Sequence, residues 1–469
     1  MTARKAAPLR HVLAAFAAAM TSLALTACVP GDGSAQFGPA QTGMIHMTHG
    51  LQLNPSFIDE VDSPSEARDS DVRGFYKDQS YYTTFYRNGR WTRAGALAFS
   101  TLRNAASEGL DPEAYLPRRM LRSSSLSTVD PQTEDVLLTA GLMAYLADVR
   151  QGVHNPEAKN IGPKLLRDGV ERSDFGAFLS SVPPQGRSYR SLRAILNSRA
   201  SSLAPARKKQ IAVNLERLRW DPEVAGAARD IRVNIASQTM EIFERDKRVH
   251  AMSVVVGRTS RKTPVLQDEV VSLKFSPDWT APRSIVQEDY LNHAQADPAY
   301  FDEKGWQVYL NGERTTSAAV DWTTVELDNV TVRQPSGATN ALGGVRFSLT
   351  NSQAIYLHDT NAHSLFQKAQ RLFSSGCVRV EDAAWLAHWI MRAEPISMTM
   401  TEVRENMDLS SPKSVRLAKP VPVAIAYMTV WVDGENTLHW EEDVYGHDKR
   451  LLSKMDFPAA WNGSTRSDD

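Results

Sequence analysis

The sequence lacks three features that mark common functional classes. Its 53 Lys and Arg residues nearly balance its 54 Asp and Glu residues, so it offers no basic footprint for nucleic acid. It has no Cys and His cluster at metal-ligand spacing, and we expect neither a metal nor another cofactor. After residue 25, no apolar run is long enough to span a membrane. The hydrophobic content of 42% is nevertheless ordinary for a chain that buries cores.

The first residues have the organisation of a secretory signal. Three basic residues precede an uncharged apolar run at 12–25. The run ends in Leu-Thr-Ala-Cys at 25–28, which resembles a bacterial lipobox, whose Cys carries lipid. We therefore expect residues 1–27 to be a lipoprotein signal peptide and Cys28 to be the membrane anchor. An ordinary signal peptide that contains a Cys is the alternative. Because Val29 follows, we expect a periplasmic protein anchored to the outer membrane.

Cysteine is scarce, with 2 residues in the whole chain. If Cys28 carries lipid, Cys377 is a lone thiol in an oxidising compartment. An unpaired Cys in an exported protein indicates a reactive residue. The alternative is a small buried hydrophobic side chain.

Sequence patterns after the signal predict an α+β protein of several domains. Residues 28–70 begin with a stretch rich in Gly, Pro, Ser and Gln and are expected to form a flexible tether. Residues 71–205 have helical periodicity, clearest at Glu134–Arg150, and predict a helical scaffold domain. Residues 206–405 predict a mostly-β domain, because alternating strand patterns begin near Ile231. The last segment, 406–469, is expected to be an extension that packs on this domain.

A long aromatic segment, Asp278 to Asp321, interrupts the predicted strands. It contains Trp279 and five other aromatic or proline residues that could organise it: Pro282, Tyr290, Tyr300, Phe301 and Trp306. Long insertions in compact domains are usually lids or binding loops. We expect a lid, and the alternative is a surface excursion that is packed by its own aromatics.

Two short motifs carry the candidate chemistry. Ile-Tyr-Leu-His-Asp-Thr occupies 355–360, and Ser-Ser-Gly-Cys-Val-Arg-Val-Glu-Asp occupies 374–382. A thiol becomes a strong nucleophile when an imidazole takes its proton or an electropositive site lowers its pKa. We therefore interpret Cys377 as nucleophile and His358 as base, oriented by the side chain or backbone of the polar residues that follow it. Gly376 permits a tight turn, so the amides of Gly376 and Cys377 are predicted to face an oxyanion.

These motifs resemble the signature of the YkuD-type L,D-transpeptidases, in which a catalytic His precedes the nucleophilic Cys by under two dozen residues. His358 and Cys377 are 377 − 358 = 19 residues apart, which fits, whereas His363 fits poorly. Further segments are similar to the large multidomain branch with a helical scaffold domain: 89–92, 108–112, 214–220 and 333–343.

The resemblance implies cell-wall chemistry. Cys377 would attack the bond between diaminopimelate and the terminal D-Ala of a peptidoglycan stem tetrapeptide. The resulting thioester would pass to a diaminopimelate amine of a neighbouring stem, which cross-links the wall. Proteins of cell-wall synthesis are candidate partners.

The resemblance also implies substrate contacts beside the catalytic pair. Tyr356 and Trp279 match positions that line the donor site of the family, although Trp279 could instead pack within the aromatic segment. Arg379 could hold a substrate carboxylate, with ion pairing to Glu381 or Asp382 as the alternative.

Two departures from the family pattern leave other functions open. Ser375 stands where the family usually has a His, which puts the fine geometry in doubt. Residues 182–209 are too few for the peptidoglycan-binding module that is usual in the large branch. The rival functions are a cell-wall peptide hydrolase, an L,D-carboxypeptidase, and a lipoprotein scaffold whose catalytic domain has decayed.

Overall fold

The structure is a computed structural model that describes residues 50–220 and 227–462. The predicted signal peptide, Cys28 and the first part of the predicted tether lie outside the described residues. Within these two ranges, no helix combines the length and the apolar character needed to cross a membrane.

The N-terminal region is predominantly helical, as the periodicity predicted. The predicted helix at Glu134–Arg150 is confirmed by a helix that begins after Asp130, whose carboxylate accepts the Thr133 amide. This helix, α5, buries thirteen residues and is the centre of the region's core. In chain order the elements are β1 (Gly50–Gln52), α1 (Pro55–Glu60), α2 (Asp69–Asp78), β2 (Tyr82–Arg87), β3 (Arg90–Trp91), α3 (Arg93–Arg103), α4 (Arg118–Arg122), α5 (Pro131–Gln151), α6 (Gly162–Val170), α7 (Phe175–Ser181), α8 (Arg187–Ser198) and α9 (Pro205–Trp220).

The predicted tether is too long at its C-terminal end. Gly50 pairs with Arg87 across β1 and β2, and Ile58 of α1 is 2% exposed in the scaffold core. The tether prediction is therefore wrong for residues 50–70. A few apolar residues in this stretch complete a core whose other members come from distant helices.

The second region is mostly β, as predicted. The predicted hairpin is confirmed, because Ile231 pairs with Ile242 in antiparallel strands. The strands are β4 (Arg229–Asn234), β5 (Thr239–Glu244), β6 (Lys247–Gly257), β7 (Leu266–Phe275), β8 (Trp279–Thr280), β9 (Gln307–Leu310), β10 (Glu313–Thr315), β11 (Val330–Gln334), β12 (Val345–Ser348), β13 (Leu357–His358), β14 (Leu372–Ser374), β15 (Val378–Val380), β16 (Lys413–Ala426), β17 (Val430–Val432) and β18 (Leu438–Trp440). The helices are α10 (Arg283–Ile285), α11 (Leu291–Ala296), α12 (Tyr300–Glu303), α13 (Ala383–Met391), α14 (Met400–Met407) and α15 (His447–Leu452).

The main sheet has nine strands in the order β14-β6-β15-β13-β12-β7-β16-β4-β5. An additional pairing of β5 with β6 closes eight of them into a ring. Alternate side chains from these strands fill one core, against which α13 packs. Two short neighbouring strands, β13 and β15, are parallel, and they carry the two motifs singled out in the sequence.

The aromatic segment forms a folded unit that is longer than predicted. Four strands pair in the order β10-β9-β11-β8, so residues 278–334 belong together; we call this segment the insertion. The predicted end at Asp321 is corrected because β11 pairs with both β8 and β9. Its aromatics form a core of their own, with Phe301 0% and Trp322 3% exposed. The segment is therefore packed by its own aromatics, and it also borders the candidate site described below.

Part of the C-terminal segment belongs to the main sheet, and later residues pack on the helical region. β16 lies inside the main sheet between β7 and β4, so the mostly-β domain includes residues beyond the predicted boundary at 405. Farther on, Thr429 donates its amide to Asn214 of α9 (2.9 Å), and Val430 and Leu451 share a core with α8 and α9. The last residues therefore join the helical region to the sheet.

Candidate active site

The candidate residues share one face of the main sheet. His358 pairs with Arg379 across β13 and β15, and with Arg346 across β13 and β12. Their strand neighbours, Leu357 and Val378, are 0% exposed in the core. Because successive strand residues point to opposite faces, the side chains of Arg346, His358 and Arg379 lie on the outer face.

The thiol belongs to this outer face as well. Val378 donates its amide to the Tyr356 carbonyl (3.1 Å), so Cys377 lies next to Tyr356 across the two strands. Cys377 is partly exposed, and its Sγ donates to the carbonyl of Ala354 (3.6 Å). The Tyr356 ring also packs edge-on against His358, with 5.7 Å between ring centroids. Tyr356 is therefore a neighbour of both the predicted nucleophile and the predicted base.

The backbone orients the His358 ring. Its Nδ1 lies 2.5 Å from the carbonyl oxygen of Asp359, and a carbonyl only accepts. Nδ1 therefore carries the proton, and Nε2 is the nitrogen that is free to accept one. The Asp359 carboxylate is used elsewhere, because it accepts the amide of Gly344 (2.8 Å). Of the two predicted ways to orient the ring, the structure has the backbone carbonyl.

Burial controls the protonation of this pair. It lowers the pKa of His358 to about 3, with contributions in the same direction from Arg379 and Arg346. Burial also raises the pKa of Cys377 to about 11, against opposing contributions from Tyr356 and the same two arginines. At neutral pH the thiol is protonated and the imidazole is neutral. The free site thus holds no thiolate–imidazolium pair, and the proton must move when substrate is bound.

We predict a corresponding pH profile for Cys377 alkylation. The thiolate is the reactive form, and the pKa of the Cys377 thiol is raised. The rate of alkylation by iodoacetamide should therefore rise about tenfold per pH unit between pH 7 and 9. Peptide-resolved mass spectrometry measures this rate at Cys377 separately from Cys28. A rate that is already constant between pH 6 and 8 would show a preformed ion pair and contradict the assignment.

The turn before Cys377 is stabilised by hydrogen bonds with Thr263 and Ser374. Gly376 has φ +119°, which favours glycine, and its carbonyl accepts the Thr263 hydroxyl (2.7 Å). The Gly376 amide donates to Ser374 Oγ (3.2 Å), which donates to the Cys377 carbonyl (2.5 Å). In this structure the Gly376 amide is engaged by Ser374, and its predicted role at the oxyanion stays a prediction. Within the described residues the Cys377 amide has no acceptor, so its predicted role stays open.

Ser375, at the position of the usual His, is bound by an arginine that the sequence did not single out. Arg261 donates to Ser375 Oγ (3.1 Å) and also forms ion pairs with Glu288 and Asp289 of the insertion. Arg258 forms a second ion pair with Asp289 (2.7 Å). Arg261 therefore links the insertion to the cysteine turn. No sequence signal pointed to Arg261, because its partners are distant in the chain.

Of the other substrate-binding candidates, Trp279 is buried and Arg379 is half-buried. Trp279 is 8% exposed in the core of the insertion, against which Tyr356 packs. Its packing role is therefore real, and it also supports a residue that touches the thiol. The predicted alternative for Arg379 is wrong, because Glu381 accepts the Ser253 amide and Asp382 caps α13. Among the described residues, Arg379 has no ion-pair partner.

No metal is implied by this geometry. In the described ranges, no group of three or more His, Cys, Asp or Glu residues could hold a metal ion. The chemistry that these side chains offer is nucleophilic attack by a thiol with transfer of its proton to an imidazole.

Comparisons with known proteins show the family of this chain. A model of the L,D-transpeptidase catalytic domain, YkuD, matches residues 228–403, and a Scaffold domain model matches residues 70–196. A curated Haemophilus influenzae protein, itself only provisionally assigned as an L,D-transpeptidase, is 32% identical over 343 residues. The alignment covers 68% of this chain and 67% of that protein. The protein belongs to the L,D-transpeptidase family.

Solved L,D-transpeptidases align with part of the chain. The enzyme from Mycobacterium smegmatis is 12% identical with a TM-score of 0.22, over 43% of this chain and 59% of that chain. One from Mycobacterium tuberculosis is 13% identical with a TM-score of 0.20, over 43% and 58%. The chain thus spans less than two thirds of these solved structures. Membership in the L,D-transpeptidase family is carried by the sequence relatives and the family models.

Proposed function

We propose that this protein is a peptidoglycan L,D-transpeptidase in which Cys377 is the nucleophile and His358 the base. The observation that carries the proposal is the shared outer face of β13 and β15. There, Tyr356 neighbours both Cys377 and His358, and the Asp359 carbonyl binds Nδ1, which leaves Nε2 free to accept a proton. The substrate class comes from the family.

The reaction divides into two acyl transfers. Sγ of Cys377 bonds to the carbonyl carbon of diaminopimelate while its proton passes to Nε2 of His358. The bond to the D-Ala nitrogen then breaks, and the imidazolium returns the proton to this leaving amine. In the second transfer, the amine of a neighbouring diaminopimelate attacks the thioester and loses a proton to His358. The new amide forms, the carbon–sulfur bond breaks and the thiol is regained.

Developing negative charge is stabilised at two places. The unengaged amide of Cys377 can donate to the oxyanion of the tetrahedral intermediate. Arg346 and Arg379 add positive potential on the same face. A thiol that is neutral in the free site becomes reactive only when these groups and the substrate are assembled together.

Purified protein and a disaccharide tetrapeptide test the proposed function. Transpeptidation gives free D-Ala and cross-linked dimers. A hydrolase would give D-Ala and tripeptide without dimers, and a decayed scaffold would give neither product. Chromatography with mass spectrometry separates all three outcomes, and the proposal requires dimers.

We further propose that the insertion closes over the donor site and favours the amine over water as acceptor. The ion pairs from Arg258 and Arg261 to Glu288 and Asp289 hold it against the cysteine turn. Excluding water from a thioester is the usual function of such closure.

Removing these ion pairs should shift the products from the cross-linked dimer toward the hydrolysed tripeptide. Partly exposed pairs contribute up to about 1 kcal/mol each, so Glu288→Ala with Asp289→Ala should raise the open fraction about tenfold. We expect a several-fold higher ratio of tripeptide to dimer in the tetrapeptide assay. Asp328→Ala is the matched control, because the Arg283–Asp328 pair (3.0 Å) lies wholly within the insertion. Equal ratios in the two variants would refute the closure.

A further inference from the structure

The outer face of the main sheet carries a row of cations across four strands. Lys274 of β7 pairs with Arg346 of β12, which pairs with His358 of β13, which pairs with Arg379 of β15. Side chains in register on neighbouring strands point to the same face, so these four residues stand side by side. The base of the proposed reaction therefore lies between two guanidinium groups.

The charges in this row are only partly neutralised. Lys274 forms an ion pair with Asp278, which also pairs with Arg333. Within the described residues, neither Arg346 nor Arg379 has a carboxylate partner. The nearby acidic residues of the insertion, Glu288 and Asp289, are engaged by Arg258 and Arg261. The face therefore has an excess of positive charge beside Cys377 and His358.

The two unpaired arginines are also incompletely hydrogen-bonded. The Nε atoms of Arg346 and Arg379 are both buried and have no acceptor. Arg346 donates from Nη2 to Ser348 Oγ (3.3 Å), and its guanidinium lies 5.2 Å from the ring centroid of Tyr356. Burial lowers the pKa of Arg379, because desolvation disfavours the charged form of its guanidinium group. Buried cations without partners are destabilising unless an anion completes the site.

We propose that Arg346 and Arg379 together bind a carboxylate of the donor stem peptide next to the scissile amide, and that Arg346 determines specificity for the charged donor. This inference rests on the proposed function. Guanidinium groups recognise carboxylates through paired, charge-assisted hydrogen bonds. Stem peptides carry carboxylates close to the bond that Cys377 would attack, whereas amidation of that carboxylate removes its charge and replaces one acceptor oxygen by a donor.

A bound carboxylate would also act on the base. Arg346 and Arg379 both disfavour the imidazolium form of His358. An anion between them offsets this effect, so donor binding would make His358 a better proton acceptor. Recognition of the donor and activation of the base would then be linked through the same two side chains.

Binding measurements test the inference without depending on turnover. Calorimetry on Cys377→Ala uses the tetrapeptide and a set of peptides in which each carboxylate is singly amidated. We expect one amidation to weaken binding about 10- to 100-fold, the range for hydrogen bonds to charged groups. In Cys377→Ala with Arg346→Gln, that penalty should largely vanish, and Arg346→Lys should restore part of it. Arg333→Gln, whose partner is Asp278, is the matched control and should keep the full penalty.

Two results would overturn the inference. In the first, no single amidation of the tetrapeptide weakens its binding. In the second, Arg346→Gln weakens binding of the unmodified tetrapeptide and of every amidated peptide equally, as expected if Arg346 has only a structural role. Failure of the proposed function looks different, because the parent protein would then form no dimers in the tetrapeptide assay whichever peptides bind.

Discussion

Replacing Cys377 with alanine is expected to lower dimer formation by at least about 10⁴-fold, because the covalent intermediate can no longer form. The fold should persist, since the turn is held by Gly376, Ser374 and Thr263 and does not need the thiol. The tetrapeptide assay gives the rate, and thermal unfolding followed by circular dichroism checks the fold.

Cys377→Ser is the conservative partner of this variant. A hydroxyl of similar size fits the same turn but is a much weaker nucleophile at neutral pH, so its activity should also lie near the assay background. Dimer formation at the parent rate in a folded Cys377→Ala protein would show that another residue carries the acyl group.

His358→Ala is expected to lower the rate about 10²–10⁴-fold, the usual contribution of a positioned general base. The residual activity should depend more steeply on pH, because hydroxide must then remove the thiol proton. The tetrapeptide assay between pH 6 and 9 measures both effects.

His363→Ala is the matched control for the base. His363 has a side chain that is 62% exposed, and its Nε2 lies 3.8 Å from a carboxylate oxygen of Asp359. We expect an activity within about twofold of the parent, as for most exposed substitutions. If His363→Ala were the more damaged variant, the assignment of the base would be wrong.

Residues that are close in sequence could be predicted well. His358 ends a short apolar strand and Cys377 directly precedes another, and the alternation that fixes which side chains point outward is visible in the sequence. The hairpin at Ile231 and the long helix at Glu134–Arg150 are likewise local patterns, and the structure contains both. Such signals need no knowledge of how distant segments pair.

Contacts between distant strands could not be predicted. Arg346 reaches the site because β12 pairs with β13, and Arg261 reaches Ser375 across 114 residues. Strand order and register are set by the packing of the whole sheet, which no window of the sequence reveals. For the same reason the insertion was predicted to end at Asp321, since the pairing of β11 with β8 is non-local.

The sequence also could not show whether burial or nearby positive charge would dominate the pKa of Cys377. The sequence offered two general routes to a reactive thiol: proton transfer to an imidazole, or an electropositive site that lowers the pKa of the thiol. In the structure, desolvation outweighs the arginines and raises the pKa of Cys377 to about 11. Burial depends on the insertion and on Tyr356, and so on tertiary packing.

Intact-mass analysis of the acyl-enzyme tests the central claim most directly. The protein is incubated with disaccharide tetrapeptide and quenched in acid, and the adduct is located by peptide mapping. The account predicts a hydroxylamine-sensitive adduct of the donor without its D-Ala, on the peptide that contains Cys377, and no adduct in Cys377→Ala. An adduct on a different residue, or dimers formed by Cys377→Ala without any adduct at position 377, would contradict it.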